Sequence, residues 1–413
     1  MTPLLVALTL AAGPRFVEDD FAAALATAKA NQKLLFVDAW APWCHSCVFM
    51  REHVLTRDGF APYEKDVVFA AVDTEKPGSA AFLEQYPVEV WPTLFFIDPS
   101  SGKLLFKWVG STDETQMKAL LDAARGGGGL VAEADALLAE GKSEAAAQKY
   151  VAAQKAQAGT SARAVLSMLS ALALSKSNEA CARTAVEQLP SLTVHGDRVN
   201  ALSWGLGCAI ELPEGDGRTR LLEPLVAEGR TALAFTDVLA DDTSGLYESL
   251  ATERFAAKDE AAGVALAKQW LAFLDAQAAK AKTPAERAVF DPHRVNAALS
   301  AKTPERMVEP LMRSEKDLPA DYNPPARLAL LHRELGKYDL ALADIDRALG
   351  KCKAGPRKLR LYETKASILE KQGNAVARKK VLAEALAYAR ALPRAQYPAT
   401  RLAAFEKRVA EAK

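Results

Sequence analysis

Two of the chain's five cysteines stand three residues apart in "FVDAWAPWCHSCVFMR", from Phe36 to Arg51. Cys44 and Cys47 at that spacing share one face when they open a helix. The helix dipole and free N–H groups at such a terminus stabilise a thiolate. In that arrangement Cys44 is the more exposed thiol and attacks a disulfide. Cys47 then resolves the mixed disulfide from within the same turn. A zinc site would need about four ligands. The chain has no second Cys-x-x-Cys, His45 sits inside the turn pointing away from a shared Cys44/Cys47 centre, and His53 is the other imidazole nearby. No metal and no cofactor are therefore expected. A third reading is a pair of inert buried thiols, and the surrounding elements must decide.

Those elements alternate in type. Phe21–Lys33 reads as a helix ending near Asn31. "LLFVDAWA" (Leu34–Ala41) is an apolar run with one acid, Asp38, as in a central strand buried on both faces. The cysteine pair follows it, then helical spacing. "DVVFAAVD" is a second strand, "AAFLEQYP" a short helix stopped by Pro87, "TLFFID" a third strand and "KLLFKWVG" a fourth. Asp113–Ala124 is an amphipathic closing helix. The expected fold class is α/β plus all-α: a mixed sheet with helices on both faces, then a helical half.

With the strand, the turn and the loop "VWPT" on view, residues 16–125 resemble the thioredoxin fold. The carriers are Asp38, Trp43, Cys44, Cys47, Trp91, Pro92 and Gly110. The resemblance implies that Trp43 shields the site and lines the substrate surface, and that Asp38 is the buried acid assisting proton transfer at Cys47. It also implies that Pro92 is cis, with Trp91 facing the partner. The chain departs from the pattern in its His-Ser spacer and in Val48, where a basic residue is usual. The lysine that partners the buried acid in thioredoxin itself would align near Phe69. The longer segment after Cys47 is similar to that of disulfide-interchange proteins. An imidazolium at His45, beside substrate and thiolate, would make the couple more oxidising.

Gly126–Gly129 then form a linker that a helix would not accommodate. From residue 131 to 413 the grammar is helical and alanine-rich. A helix–turn–helix phrase recurs around Gly141, Gly336 and Gly373, and the last two lie near the ~34-residue period of tetratricopeptide repeats. This half resembles such an array, which implies peptide or protein binding on a concave face. "RFAAKDEAAGVALAKQWLAFL" reads as a relic of the phrase. "LADDTSG" (Leu239–Gly245) reads as a solvated loop, and His195, His293 and His332 as surface or helix-packing residues.

The chain carries 52 basic and 52 acidic residues, which argues against nucleic acid as a partner. No segment reads as transmembrane. Leu4–Ala12 is a short apolar run within a candidate signal peptide (residues 1–15), although it lacks a basic n-region and a clean cleavage site. The expected location is periplasmic or secreted, with the cytoplasm as the alternative. Cys181 and Cys208 fall on successive helices, where a disulfide and two free thiols are both open readings. Cys352, between two lysines, reads as an exposed reactive thiol or a bystander. Together these features point to a thiol–disulfide oxidoreductase. Its partners would be protein thiol or disulfide substrates, an upstream redox partner, and a protein held by the repeats. The alternative is a scaffold or chaperone-like binder whose redox domain is a sensor or tether.

Overall fold

A computed structural model describes residues 13–126, 131–156 and 162–411. The candidate signal peptide falls largely outside these residues, as do 127–130 of the glycine linker.

The first half is built from β1 (Phe16–Glu18), α1 (Phe21–Asn31), β2 (Leu34–Trp40), α2 (His45–His53), β3 (Val67–Asp73), α3 (Ala80–Gln85), β4 (Thr93–Asp98), β5 (Lys103–Val109) and α4 (Glu114–Arg125). The sheet order is β1-β3-β2-β4-β5. β2 lies parallel to β3, with Val37 opposite Ala70, and antiparallel to β4, with Asp38 opposite Leu94. The mixed sheet thus agrees with expectation. The short edge strand β1 is an addition: three residues carry too little periodicity to be read, and Phe16 is held by rings of Phe36 and Phe69.

Strand alternation assigns the two faces. Leu35, Val37 and Ala39 join Ala24 and Ala28 of α1 and Phe82 and Leu83 of α3 in one buried cluster. Phe36 faces the other way, among Phe69, Phe96, Phe106, Met50 of α2 and Met117 and Leu121 of α4. Fully burying each such side chain stabilises by about 1.5–3 kcal/mol. Asp38 has the parity of Phe36, so it lies on the face covered by α2. α4 is started by a capping box between Asp113 and Gln116.

The second half is a run of packed helices: α5 (Ala132–Ala139), α6 (Ser143–Ala156), α7 (Ala162–Leu174), α8 (Asn178–Gln188), α9 (His195–Ile210) and α10 (Asp216–Ala232). It continues through α11 (Ala240–Ala256), α12 (Glu260–Lys280), α13 (Pro284–Ala288), α14 (Asp291–Ser300), α15 (Val308–Asp317) and α16 (Asn323–Glu334). It ends with α17 (Tyr338–Lys351), α18 (Pro356–Lys371), α19 (Ala375–Ala391) and α20 (Ala399–Glu411). Gly141, Gly336 and Gly373 all adopt positive φ where one helix turns into the next. The relic phrase makes the same turn between α11 and α12 with Lys258 at φ 60°. "LADDTSG" is not a loop: from Ala240 it is the first turn of α11, with Asp241 and Asp242 buried.

The halves share a core. Phe106 and Trp108 of β5 belong to the same cluster as Ala134 and Leu138 of α5 and Leu166 of α7, and the Arg163 guanidinium lies 4.4 Å from the Phe106 ring centroid. A disulfide joins Cys181 on α8 to Cys208 on α9 (Cα–Cα 6.1 Å), which resolves the alternatives left by the sequence. Cys352 is buried rather than exposed, and burial pushes its thiol up to about 11.

Candidate redox site

The strand β2 ends at Trp40, and the chain turns so that Cys44 caps α2. Its Sγ accepts a hydrogen bond from the Cys47 N–H at 3.1 Å. The two sulfurs form a disulfide with a Cα–Cα distance of 5.3 Å. Ala41 packs with the pair, together with Trp40, Trp43 and Trp91. Free amides at this helix end favour a thiolate at Cys44 once the bond is reduced.

Asp38 lies on the α2 side of the sheet, 1% exposed, and neither carboxylate oxygen has a hydrogen-bond partner. Burial raises its pKa to about 7, against the opposing pull of Arg51. Arg51 Nη1 stands 3.8 Å from Asp38 Oδ2 and its Nη2 donates to Glu18 at 2.7 Å. The basic neighbour of the acid therefore comes from the last turn of α2. The strand position Phe69 is core.

Across the disulfide, the Trp91–Pro92 bond is cis. Gly110, at φ 107°, donates its N–H to the Pro92 carbonyl at 2.9 Å, tying the end of β5 to this loop. Trp91 donates from Nε1 to Thr74 Oγ1 (2.8 Å), and its ring meets that of Trp43 edge-on at 5.2 Å.

The sequence of residues 21–125 matches the family described as "Thioredoxin-like domain". Residues 21–125 form a thioredoxin-like domain. Over 85 residues the chain is 33% identical to "Protein disulfide-isomerase 1" of Dictyostelium discoideum, covering 20% of this chain and 23% of that protein. Over 116 residues it is 27% identical to "Thioredoxin-like protein CITRX, chloroplastic" of Solanum lycopersicum, covering 26% of this chain and 64% of that protein. The chain thus spans less than two thirds of either relative. Among solved structures it is similar to a tetratricopeptide repeat protein from Parabacteroides merdae (12% identity, TM-score 0.45), over 68% of this chain and 97% of that one. It is also similar to the "TPR2AB-domain:pHSP90-complex of yeast Sti1" (14% identity, TM-score 0.26), over 68% and 96% of the two chains.

The thioredoxin-like domain does not present its cysteines to solvent. Cys44 is 4% exposed and Cys47 0%, so Cys44 is the more exposed of the two although both are buried. The helical half packs against the turn and the elements beside it. Asn323 at the start of α16 donates to the Pro42 carbonyl at 3.1 Å. Glu75 accepts from Trp43 Nε1 (2.7 Å) and from the Arg357 N–H of α18 (2.6 Å). Gly355 approaches Glu75 so closely, at φ 90°, that a Cβ would fall 2.2 Å from its Oε2. Phe49 of α2 packs among Val289, Phe290 and Trp270. Gln396 donates to the carbonyls of Thr74 and Lys76 at 2.9 and 2.7 Å.

His45 points at the helical half, with its side chain still 34% exposed. Burial lowers its pKa to about 4, helped by His293, so the spacer is a neutral imidazole at neutral pH. The imidazolium expected beside the thiolate is absent for that reason. Its ring lies 3.7 Å, centroid to centroid, from that of His293 on α14, and its Nε2 lies 3.9 Å from Asp241 Oδ1 on α11. Asp241 is buried, which raises its pKa, but the imidazoles and the Ser46 hydroxyl outweigh burial and hold it at about 2. The expectation of no metal weighed only ligands near the cysteine pair, His45 and His53 among them. The His45–Asp241–His293 juxtaposition brings together three distant segments that the sequence read separately.

On the Trp43 and Trp91 side a cleft of about 830 Å³ opens between the thioredoxin-like domain and the C-terminal helices, reaching Glu75, Arg357, Arg360 and Gln396. The Arg357 guanidinium lies 5.7 Å from the Trp43 ring centroid, within cation–π range.

Proposed function

We propose that the chain is a protein thiol–disulfide oxidoreductase with Cys44 as nucleophile and Cys47 as resolving thiol. The observation that carries the reading is the Cys44–Cys47 bond at the start of α2, with a buried carboxyl at Asp38, whose oxygens accept no hydrogen bond, on the strand face that α2 covers. In the reduced form, the Cys44 thiolate attacks one sulfur of a partner disulfide. That bond breaks and the departing partner thiolate takes a proton. Cys47 then passes its proton to Asp38 and attacks the Cys44 sulfur, releasing the second partner thiol. Two electrons leave the Cys44/Cys47 dithiol and reduce the partner, and the internal disulfide remains. Run in reverse, the same steps oxidise a partner dithiol; the potentials of the two partners set the direction. Trp43, Trp91 and Pro92 form the wall against which the partner chain lies. The cleft beside Trp43 and Trp91 is its approach, with the helical half holding the protein partner. His45 faces the helical half and is left out of the substrate surface. The Cys181–Cys208 disulfide supports an exported, oxidising location.

The test is insulin reduction by dithiothreitol, comparing wild type with Cys47→Ser. Turnover in the wild type, with a mixed disulfide trapped at Cys44 in the mutant, supports the oxidoreductase. A second reading is favoured by the buried sulfurs: a protein-binding scaffold whose redox pair is a sensor, packed against the helical half. Absence of turnover at any reductant concentration, with partner binding retained, would support it.

A further inference from the structure

Between the two cysteines the chain places an imidazole against two buried side chains from the helical half. His293 Nε2 lies 3.5 Å from Asp241 Oδ1, and His45 Nε2 lies 3.9 Å from the same oxygen. One ligand-type atom from each of the three residues falls within 4.8 Å of the others. His293 is 4% exposed, and neither of its ring nitrogens has a hydrogen-bond partner. A buried polar atom left so is destabilising, a penalty that a bound ligand would relieve.

We propose that His45, Asp241 and His293 form a binding site for a divalent transition-metal ion of the zinc class, which fastens the helical half to the redox turn. Two imidazole nitrogens and one carboxylate oxygen suit zinc, with a fourth position left open. Tetrahedral bonds of about 2.0–2.1 Å set ligand atoms about 3.3–3.4 Å apart. The two separations from Asp241 Oδ1, 3.5 and 3.9 Å, lie a few tenths of an ångström beyond that. His293 Nδ1 stands 3.7 Å from Glu248 Oε2, where a carboxylate would orient a ligating imidazole from behind. One buried cation acts against the site: Arg327 reaches His45 electrostatically, while Asp291 and Asp321 offset its charge. The cysteines are no part of the ligand set, so the proposal stands whether or not the pair turns over substrate.

The full chain, stripped with chelator and kept with the Cys44–Cys47 disulfide closed, is titrated with zinc chloride alone by calorimetry. One zinc per chain is expected, with affinity at least about tenfold weaker in His45→Ala and His293→Ala, and about 10–100-fold weaker in Glu248→Gln. Cys352→Ser binds as wild type does. Zinc raises the melting temperature of the wild type and leaves that of His45→Ala unshifted. No uptake by the wild type, or equal uptake by the wild type and His45→Ala, overturns the proposal. His45 lies on the turn before the core of α2, so its variant decides the question even if His293→Ala does not fold.

Discussion

Arg51 and Asp38 face each other at 3.8 Å, the guanidinium from the end of α2 and the carboxyl from the middle of β2. Burial lifts the acid to about 7 and Arg51 restrains the rise. The resolving step should therefore accelerate with pH through an inflection near 7, as Asp38 becomes able to accept a proton. Asp38→Asn should lose that inflection, and Arg51→Met should move it upward. Single-turnover resolution of a Cys44 mixed disulfide, followed from pH 5 to 9, measures both.

The same residue makes a stability prediction. Between the ordinary aspartate value of 3.8 and about 7 the folded chain holds a proton that the unfolded chain has lost. The Asp38 contribution is thus fully present below the lower value and is lost as pH rises through the upper one. Asp38→Asn should match the wild type near pH 4 and exceed it above pH 7, by on the order of a few kcal/mol. Urea unfolding at the two pH values checks this; a variant less stable than wild type at pH 8 would contradict it.

Glu75 ties the active-site wall to the helical half through Trp43 and the backbone of Arg357. Glu75→Ala should cost about 1–3 kcal/mol, leaving two buried donors unpaired. It should also speed reduction of the Cys44–Cys47 bond by dithiothreitol, because that contact loosens. Gly355→Ala should do the same through the clash of its new Cβ with Glu75. Unfolding curves and the reduction rate are read together; a destabilised variant with an unchanged rate would show that this contact does not control access.

The Cys181–Cys208 bond ties α8 to α9, away from the redox turn. Replacing both cysteines by serine should lower stability by about 2–4 kcal/mol in denaturant titration. Exchange at Cys44 should be unaffected. Cys352, buried and with its thiol raised to about 11, should resist iodoacetamide in the native chain at pH 7.5 and react once unfolded, as mass spectrometry would show.

Much of the fold was legible because short-range signals agree. The run Leu34–Ala41 reads as a buried strand, and its strand period places Asp38 on the face of Phe36. "VWPT" marks the Trp91–Pro92 loop, which is cis. Gly141, Gly336 and Gly373 mark helix turns, and each takes the positive φ that glycine allows. The misreadings share one cause. Asp241 and Asp242 looked solvated because acids usually are, yet packing of α11 against the redox turn buries them. His45 was read only against its neighbours in the turn, because the residues it meets on α11 and α14 lie far along the chain.

The sequence by itself determined the local parts: the thiol pair and its helix start, the strand that carries Asp38, and the division into a sheet half and a helical half. Periodicity and turn chemistry act within a few residues, so one chain read in order reveals them. The packed molecule alone shows that the helical half lies against the redox turn, that Arg51 faces Asp38, and that His45, Asp241 and His293 meet. Those contacts join residues on different elements, and their energetics depend on burial, a property of the packed molecule that no short window of sequence contains.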